Sequence, residues 1–214
     1  MPSLIVLDVD GTLTKVRSSW QYLHENLGIW DGKAEEYQEV FRRGEITYRE
    51  FCELDADLWG GIPLEDVLAV IETIGYRENI EDFFSTLNGK ARKFALVSTG
   101  LGYLVNRVKD KFGIDYAFSN HLLDDGKYLT GEVRIDVDWG DKPAIVKGIK
   151  DKLSLRREEV VIMGDSDGDV GMFGTGGFCI AVEPSSPKLR ERAHVILEDG
   201  DLVSGARIIL ERYS

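Results

Sequence analysis

Acidic and hydroxyl side chains follow three short apolar runs of the sequence. These polar stretches are Asp8-Val9-Asp10-Gly11-Thr12, Ser98-Thr99-Gly100 and Gly164-Asp165-Ser166-Asp167-Gly168-Asp169. Carboxylates that converge on one crevice repel one another unless a hard cation lies between them, and oxygen ligands of this kind suit Mg²⁺. Lys142, near the start of a predicted helix, adds a cation, and the free N–H groups of strand-to-helix turns favour an anion. The pattern therefore predicts a Mg²⁺ site that binds a phosphate group.

Short apolar runs recur along the chain and are typical of buried strands. The runs are Leu4-Ile5-Val6-Leu7, Phe94-Ala95-Leu96-Val97, Tyr116-Ala117-Phe118-Ser119, Val160-Val161-Ile162-Met163, Phe178-Cys179-Ile180-Ala181-Val182 and Val195-Ile196-Leu197. Helical periodicity lies between several of them, as at 104–112, and this alternation favours a parallel sheet. The predicted fold class is α/β, with a doubly wound, Rossmann-like parallel sheet. The segment 121–136, with Asp125-Gly126 and Thr130-Gly131, predicts a hairpin or an irregular ribbon.

A long helical segment interrupts this alternation after the first strand. Apolar residues recur in it at helical spacing, as at Phe51, Leu54 and Leu58. The segment 15–80 holds about twice as many acidic as basic residues. Since the first strand must pair with the later sheet, we interpret the segment as an insertion. The predicted organisation is a core domain of residues 1–14 and 81–214, with a helical cap domain of residues 15–80.

Composition excludes several classes of function. The chain has 26 Lys and Arg residues against 38 Asp and Glu residues, which gives a net charge of −12 and a pI near 4.8. This charge has the wrong sign for a protein that binds nucleic acid or an anionic membrane surface. The first residues lack a basic start and a long apolar run, so we expect no signal peptide, no membrane span and a cytoplasmic location. Cys52 and Cys179 fit neither a disulfide framework nor a metal spacing.

Each polar stretch also has a plainer interpretation. An Asp-Gly pair after a strand, such as Asp10-Gly11, is usually a turn. Ser98 and its two neighbours could cap the helix that follows. Lys142 could be a solvated side chain at the start of its helix. The order of the three polar stretches and Lys142 along the chain is therefore stronger evidence for a functional site than any one of them alone.

The order of the pieces resembles the haloacid dehalogenase (HAD) superfamily of aspartate-nucleophile phosphatases. Its motifs run DxDGT, hydrophobic-Ser/Thr, Lys and GDxxxD, and they match here at residues 8–12, 97–98, 142 and 164–169. The helical insertion between the first two motifs is similar to the helical-bundle cap of the phosphoserine-phosphatase-like branch. The resemblance spans residues 8–169 and implies the HAD fold with an inserted cap.

The resemblance also implies a mechanism. Asp8 would attack phosphorus and form an aspartyl-phosphate, and Asp10 would act as general acid and base. The implied metal ligands are Asp8, the Asp10 backbone carbonyl and Asp165, and Asp169 would either ligate the ion or orient its waters. The implied phosphate-binding residues are Gly11, Thr12, Ser98, Thr99, Gly100 and Lys142, of which Lys142 also stabilises the transition state. The predicted function is Mg²⁺-dependent hydrolysis of a small phosphomonoester, and the predicted partner is a small phosphorylated metabolite.

The chain departs from phosphoserine phosphatases at two positions. Those enzymes carry a glutamate nine residues after the nucleophile and an arginine on a cap helix, which bind the amino and carboxylate groups of serine. Arg17 and Asp55 stand at these positions here. We expect phosphoserine to be a poor substrate, because like charges would meet at both positions. Arg17 would instead favour another anionic or hydroxyl-bearing part of a small ester. The alternative is that Arg17 and Asp55 pair with each other.

Three other functions use similar residues. A phosphotransferase that passes the phosphoryl group to an alcohol needs the same set. A response-regulator receiver domain also surrounds a phosphoaspartate with Mg²⁺, Thr and Lys, but it contains no helical cap. A non-catalytic Mg²⁺-dependent binding module would not need Asp8, Asp10 and Lys142 together. The expected oligomeric state is a monomer or a small homo-oligomer.

Overall fold

The computed structural model describes residues 1–29 and 32–214, and its strands form one sheet. The strands are β1 (Leu4–Leu7), β2 (Lys93–Leu101), β3 (Tyr116–Asp124), β4 (Leu129–Arg134), β5 (Val160–Gly164), β6 (Phe178–Val182) and β7 (Val195–Leu197). Their order is β4-β3-β2-β1-β5-β6-β7. Neighbouring strands are parallel, except that β4 pairs antiparallel with β3 at one edge. The predicted α/β class is confirmed, and the predicted hairpin is the β3–β4 pair.

Helices cover the sheet and fill the insertion after β1. The α-helices are α1 (Ser19–Asn26), α2 (Lys33–Arg42), α3 (Tyr48–Asp57), α4 (Leu64–Glu72), α5 (Ile80–Leu87), α6 (Gly102–Phe112), α7 (Lys142–Lys152), α8 (Val170–Phe173), α9 (Pro187–Arg192) and α10 (Leu202–Arg212). An antiparallel bridge between Thr14 and Tyr76 joins the two ends of the segment that holds α1 to α4. Within the described residues, none of these helices is long and apolar enough to cross a membrane.

Alternation along β1 divides the core into two layers. Leu4 and Val6 lie in one buried cluster with side chains of α7, α8 and α9. Ile5 and Leu7 lie in a second cluster with side chains of α5, α6 and α10. Successive side chains of a strand point to opposite faces, so both faces of β1 are buried. The second cluster continues into α1, α3 and α4, and the insertion therefore packs directly on the sheet domain.

β2 is longer than its apolar run predicted. The backbone continues to pair with β3 as far as Leu101, after a register shift that begins at Val97. Ser98 and its neighbours therefore lie inside an irregular strand end and not after the strand. The interpretation that they cap α6 is wrong, because the Ser98 Oγ accepts a hydrogen bond from the Gly100 N–H at 3.0 Å and α6 has no side-chain cap.

Candidate active site

The first polar stretch forms a tight loop at the carboxyl end of β1. Asp8 still belongs to the hydrogen-bond ladder of the sheet, because its N–H donates to the Met163 carbonyl at 3.0 Å. The N–H groups of Thr12 and Leu13 then turn back to the Val9 carbonyl, at 3.2 and 2.9 Å. Asp8 is therefore anchored to the centre of the sheet, and the residues after it fold back beside it.

Lys142 joins two carboxylates at this end of the sheet. Its Nζ donates to Asp8 Oδ1 and to Asp169 Oδ1, both at 2.7 Å. The Lys142 side chain is only 2% exposed, so the interpretation as a solvated side chain is wrong. Burial would lower the pKa of Lys142, but the negative charges of Asp169 and Asp8 outweigh burial and raise it. The lysine is therefore held as a cation between two acids.

Asp8, Asp165 and Asp169 form a buried acid cluster. One carboxylate oxygen of each lies within 4.8 Å of the others. Burial, together with the charges of the neighbouring acids, raises the pKa of Asp8 and of Asp165, so the protein alone disfavours these charges. Asp165 Oδ1 is buried and has no hydrogen-bond partner in the described part of the chain. An all-oxygen cluster with an unpartnered carboxylate oxygen fits a Mg²⁺ ion.

Two glycines make room for the acid cluster. Gly11 has a φ of +77°, and a Cβ at this position would lie 2.3 Å from Asp165 Oδ2. A Cβ on Gly164 would lie 2.6 Å from the carboxyl carbon of Asp169. The Asp10-Gly11 pair is thus a turn, which agrees with its plainer interpretation. Because Gly11 has no side chain, the same turn also leaves room for the Asp165 carboxylate. A larger residue at Gly11 or Gly164 would displace an acid of the cluster.

Asp10 is held by Ser19, a residue that the sequence analysis missed. Asp10 Oδ2 accepts hydrogen bonds from the Ser19 N–H and Oγ, at 2.7 Å each. Asp10 Oδ1 is buried and has no hydrogen-bond partner among the described residues, and burial raises the pKa of Asp10. The Asp10 carboxylate lies outside the three-acid cluster. Ser19 is the first residue of α1, directly after the N-cap Ser18, and no pattern in the sequence singles it out as a partner of Asp10.

Arg77 is a second residue that the sequence analysis missed. It is 4% exposed, and it donates to the Thr12 carbonyl at 3.0 Å and to the Gly11 carbonyl at 2.6 Å. Its third nitrogen pairs with the Glu183 carboxylate at 2.7 Å. Arg77 therefore fixes the backbone of the loop after β1 from the far end of the insertion. No pattern singles it out, because 65 residues separate it from Thr12.

Arg17 and Asp55 do not pair with each other. Arg17 donates to Asp165 Oδ2 and to the Glu183 carbonyl, both at 3.0 Å. Asp55 is buried in the insertion, where its Oδ1 lies 3.3 Å from His24 Nε2, and burial raises the pKa of Asp55. The pairing alternative is therefore wrong, because each residue has a different neighbour. Arg17 approaches the acid cluster itself.

The Thr99 carbonyl connects the insertion to the sheet. It accepts hydrogen bonds from Trp20 Nε1 at 3.1 Å and from the Tyr48 hydroxyl at 2.7 Å, both from the insertion. It also accepts one from Asn120 Nδ2 of β3 at 3.1 Å. The adjacent Gly100 lies so close to Asp10 that a Cβ would approach its Oδ2 to 2.7 Å. Thr99 thus ties the insertion to the sheet, and Gly100 leaves room for the Asp10 carboxylate.

A cavity of about 730 Å³ lies between the insertion and the end of the sheet. The predicted site residues that line it are Asp8, Asp10, Arg17, Asp55, Thr99, Gly100 and Lys142. The predicted site residues outside its lining are Gly11, Thr12, Ser98, Asp165 and Asp169. Five aromatic side chains of the described residues also line it: Trp20 and four that we call the aromatic wall, Phe41, Tyr48, Phe51 and Trp139. The cavity therefore joins a polar, acidic end to an aromatic side.

Known proteins share this fold and these motifs. A family model described as haloacid dehalogenase-like hydrolase matches residues 5–174. The chain is 31% identical over 204 residues to phosphoserine phosphatase of Methanocaldococcus jannaschii and covers 93% of each chain. It is 32% identical over 179 residues to phosphoserine phosphatase of Archaeoglobus fulgidus, with 83% of this chain and 52% of that one covered. A solved structure of a phospho-aspartyl intermediate analogue of phosphoserine phosphatase matches with a TM-score of 0.82 at 29% identity, over 98% of both chains.

The parallel sheet and the acid–lysine cluster at its carboxyl end define an α/β enzyme of phosphoryl chemistry. The family model covers most of the chain, and two relatives exceed 30% identity. This chain belongs to the haloacid dehalogenase-like hydrolase family. The predicted family and the predicted enzyme class, a phosphoric monoester hydrolase, are confirmed.

Proposed function

We propose that this chain catalyses Mg²⁺-dependent hydrolysis of small phosphomonoesters through an aspartyl-phosphate on Asp8. The observation that carries the proposal is the position of Asp8, which contacts Lys142, belongs to the acid cluster and lines the cavity. A carboxylate where a cation, a set of metal ligands and a substrate cavity meet is suited to attack a bound phosphoryl group. The enzyme acts in the cytoplasm, as a monomer or a small homo-oligomer.

The reaction has two steps. In the first, an Asp8 carboxylate oxygen bonds to phosphorus while the bond from phosphorus to the alcohol oxygen breaks, and Asp10 gives its proton to that oxygen. In the second, a water oxygen bonds to phosphorus, a water proton passes to Asp10, and the bond to Asp8 breaks to release inorganic phosphate. The raised pKa of Asp10 supports its role, because a buried carboxyl group carries a proton more readily near neutral pH.

The residues that would hold the ion are Asp8, Asp165 and Asp169, with the Asp10 backbone carbonyl as a further oxygen donor. When bound, Mg²⁺ supplies positive charge that offsets these carboxylates and the phosphoryl oxygens. Lys142 provides a fixed cation beside Asp8. The hydroxyl and main-chain groups assigned to the phosphate are those of Gly11, Thr12, Ser98, Thr99 and Gly100.

The proposed division of labour follows the two sides of the cavity. Residues 15–80 form a cap domain that selects the substrate, and residues 1–14 and 81–214 form a core domain that performs the chemistry. Phe41 and Tyr48 of the insertion line the same cavity as Asp8 and Lys142, which supports this division.

We propose a small phosphorylated metabolite other than phosphoserine as the substrate, although relatives are named phosphoserine phosphatase. Arg17 and Asp55 both line the cavity, with charges that oppose the ammonium and carboxylate groups of serine. A guanidinium group has N–H donors beyond those that Arg17 gives to Asp165 and Glu183. These donors suit an anionic or hydroxyl-bearing part of the substrate.

The test of the activity is a screen of phosphomonoesters with and without Mg²⁺, in which released phosphate is measured for the wild type and for Asp8→Asn. We expect Mg²⁺-dependent release that falls at least ~10⁴-fold in the variant. Asp151→Asn, a change at an exposed carboxylate paired with Lys147, is the matched control. Wild-type turnover in Asp8→Asn would overturn the mechanism. Transfer to an added alcohol without release of phosphate would instead support a phosphotransferase.

The test of the substrate is the ratio of kcat/KM for phosphoserine to that for a neutral alkyl phosphate. In Arg17→Glu we expect this ratio to rise by up to about tenfold, a modest change because Arg17 is half exposed and its charge is screened. Asp55→Arg is unsuitable alone, since it would bury a guanidinium group beside His24 in place of a carboxylate. Phosphoserine turnover by the wild type that equals its best substrate would refute the charge argument.

A further inference from the structure

The aromatic wall has no part in the proposed chemistry, yet it is a connected structure. Phe41 stacks on Phe51 with ring centroids 5.1 Å apart and an interplanar angle of 11°. Phe41 also meets Trp139 edge-on, at 5.6 Å and 81°. Tyr48 lies 5.9 Å from Trp139. These separations are those of attracting aromatic pairs, so α2, α3 and the loop before α7 build one wall.

Trp139 is the open member of the wall. Its residue surface is 45% exposed, whereas Tyr48 and Phe51 are buried. One edge of its indole lies against Gly168, where a Cβ would be 3.7 Å from the ring. An indole beside a cavity that keeps nearly half of its surface exposed leaves apolar area that a ligand can cover. Trp139 therefore gives the wall an exposed apolar surface next to the cavity.

The cavity offers more room than a phosphoryl group needs. Its volume of about 730 Å³ lies within the ~300–1,000 Å³ range of sites that bind drug-sized molecules. Asp8, Asp10 and Lys142 account for its acidic end. Beyond them the lining combines the wall, Trp20 and Ile46 with many polar side chains, among them Gln38 and Arg42. Clustered rings beside hydrogen-bonding side chains suit a flat apolar group with polar substituents.

We infer that the aromatic wall binds an aromatic ring on the leaving alcohol, so that the substrate class is a phosphomonoester whose alcohol carries such a ring. The inference rests on the proposed phosphatase activity. The ring packs against Trp139 and Phe41 while the phosphoryl group reaches Asp8. Because Phe41 belongs to the insertion and Trp139 to the sheet domain, a bound ring contacts both sides of the cavity.

The first experiment compares three esters that share an alkyl leaving oxygen: benzyl phosphate, cyclohexylmethyl phosphate and n-propyl phosphate. Their similar leaving groups keep the chemical step comparable, so that differences in kcat/KM report on the alcohol's fit. We expect benzyl phosphate to exceed n-propyl phosphate by about tenfold or more, and to exceed the bulky but non-planar cyclohexylmethyl ester. Equal values for benzyl and n-propyl phosphate would overturn the inference.

The second experiment measures the ratio of benzyl to n-propyl kcat/KM in two variants of the wall. Trp139→Ala and Phe41→Leu should each lower the ratio about tenfold, mainly through KM, because both change ring contacts and leave the acid cluster in place. Tyr128→Ala is the matched control, since Tyr128 is also an exposed aromatic residue, at 38%, but lies outside the cavity lining. A ratio that stays at its wild-type value in both wall variants would refute the assignment.

A binding measurement separates this inference from the proposed function. Benzylphosphonate and n-propylphosphonate are titrated calorimetrically into Asp8→Asn with Mg²⁺ present, which needs no turnover. We expect tighter binding of the benzyl compound, and loss of that preference in Asp8→Asn combined with Trp139→Ala. If no ester is hydrolysed, the proposed function fails, and this titration still decides whether the wall binds a ring. Equal affinity for the two phosphonates would count against the ring site.

Discussion

The end of the sheet that holds the acid cluster, which we call the catalytic end after its proposed role, and the aromatic wall line one cavity, yet different forces hold them. At the catalytic end, buried charges are fixed by short directional contacts, such as the two 2.7 Å bonds from Lys142 to Asp8 and Asp169. In the wall, rings meet at centroid distances of 5.1 to 6.4 Å, and Trp139 is nearly half exposed. Buried charges require specific partners, whereas ring contacts tolerate small shifts.

This contrast predicts different effects for substitutions in the two regions. A substitution at the catalytic end leaves a buried polar group without its partner, so it should impair every substrate alike. A substitution in the wall alters only the surface that meets the alcohol, so it should change the ranking of substrates. The following variants test this contrast.

Asp10→Asn should have the largest effect. We expect kcat to fall by about 10²–10⁴-fold for both esters, because the variant loses its proton carrier. Mg²⁺ affinity, measured by calorimetry, should persist because the Asp10 carboxylate lies outside the acid cluster. Asp151→Asn is again the control. Loss of Mg²⁺ affinity with an unchanged kcat at saturating metal would make Asp10 a ligand instead.

Gly11→Ala tests how tightly the catalytic end is packed. The new methyl group would meet Asp165 Oδ2, so we expect Mg²⁺ affinity to fall by about 10–100-fold, as for changes that displace a ligand's surroundings. Gly126→Ala is the matched control, because Gly126 also has a positive φ, +89°, but open space around it. Calorimetric titration of both variants measures the effect. An equal response in the two would mean that backbone strain alone matters.

Arg77→Met tests how much the contacts of Arg77 stabilise the loop after β1. The variant leaves the Gly11 and Thr12 carbonyls without their donor, so we expect the free energy of unfolding to fall by about 2–4 kcal/mol in urea denaturation. Arg190→Met removes an exposed arginine–glutamate pair and should show no measurable loss. Equal losses of stability in the two variants would mean that the Arg77 contacts contribute no more than an exposed ion pair. A changed benzyl to n-propyl ratio would place it in substrate selection.

The pH dependence of the metal-free protein should show the smallest effect. Burial raises the pKa of Asp8 to about 7 and that of Asp165 to about 9, above the ~3.9 of an unfolded aspartate. The folded state therefore binds more protons in this window, and these groups make stability fall as pH rises. We expect Tm to drop by a few degrees between about pH 5 and pH 8, and Mg²⁺ to restore it most at the higher pH.

Asp165→Asn supplies the control for that pH series, since it removes one of the two titrating acids. The drop in Tm should shrink in this variant. An unchanged drop would show that groups other than Asp165 govern this pH dependence.

The central part of the site could be predicted because it depends on local patterns. An apolar run followed by Asp8 and Asp10 marks a buried strand with acids at its end, and another marks Asp165 and Asp169. Parallel strands end at one edge of a sheet, so these acids had to converge. Lys142, near the start of a predicted helix, adds the cation that accompanies these acids. The roles of these residues in catalysis stay predictions that the variants above address.

The strands, the parallel sheet and the acids at its edge could be predicted from the sequence, because periodicity and strand ends are local properties. The contacts around these acids depend on the tertiary structure. Ser19 holds Asp10, Arg77 holds the loop and Asp55 lies beside His24, all through contacts between distant segments. The aromatic wall arises in the same way, since Trp139 meets helices that lie about a hundred residues earlier. Such contacts depend on how the insertion packs on the sheet, and no local pattern encodes that geometry.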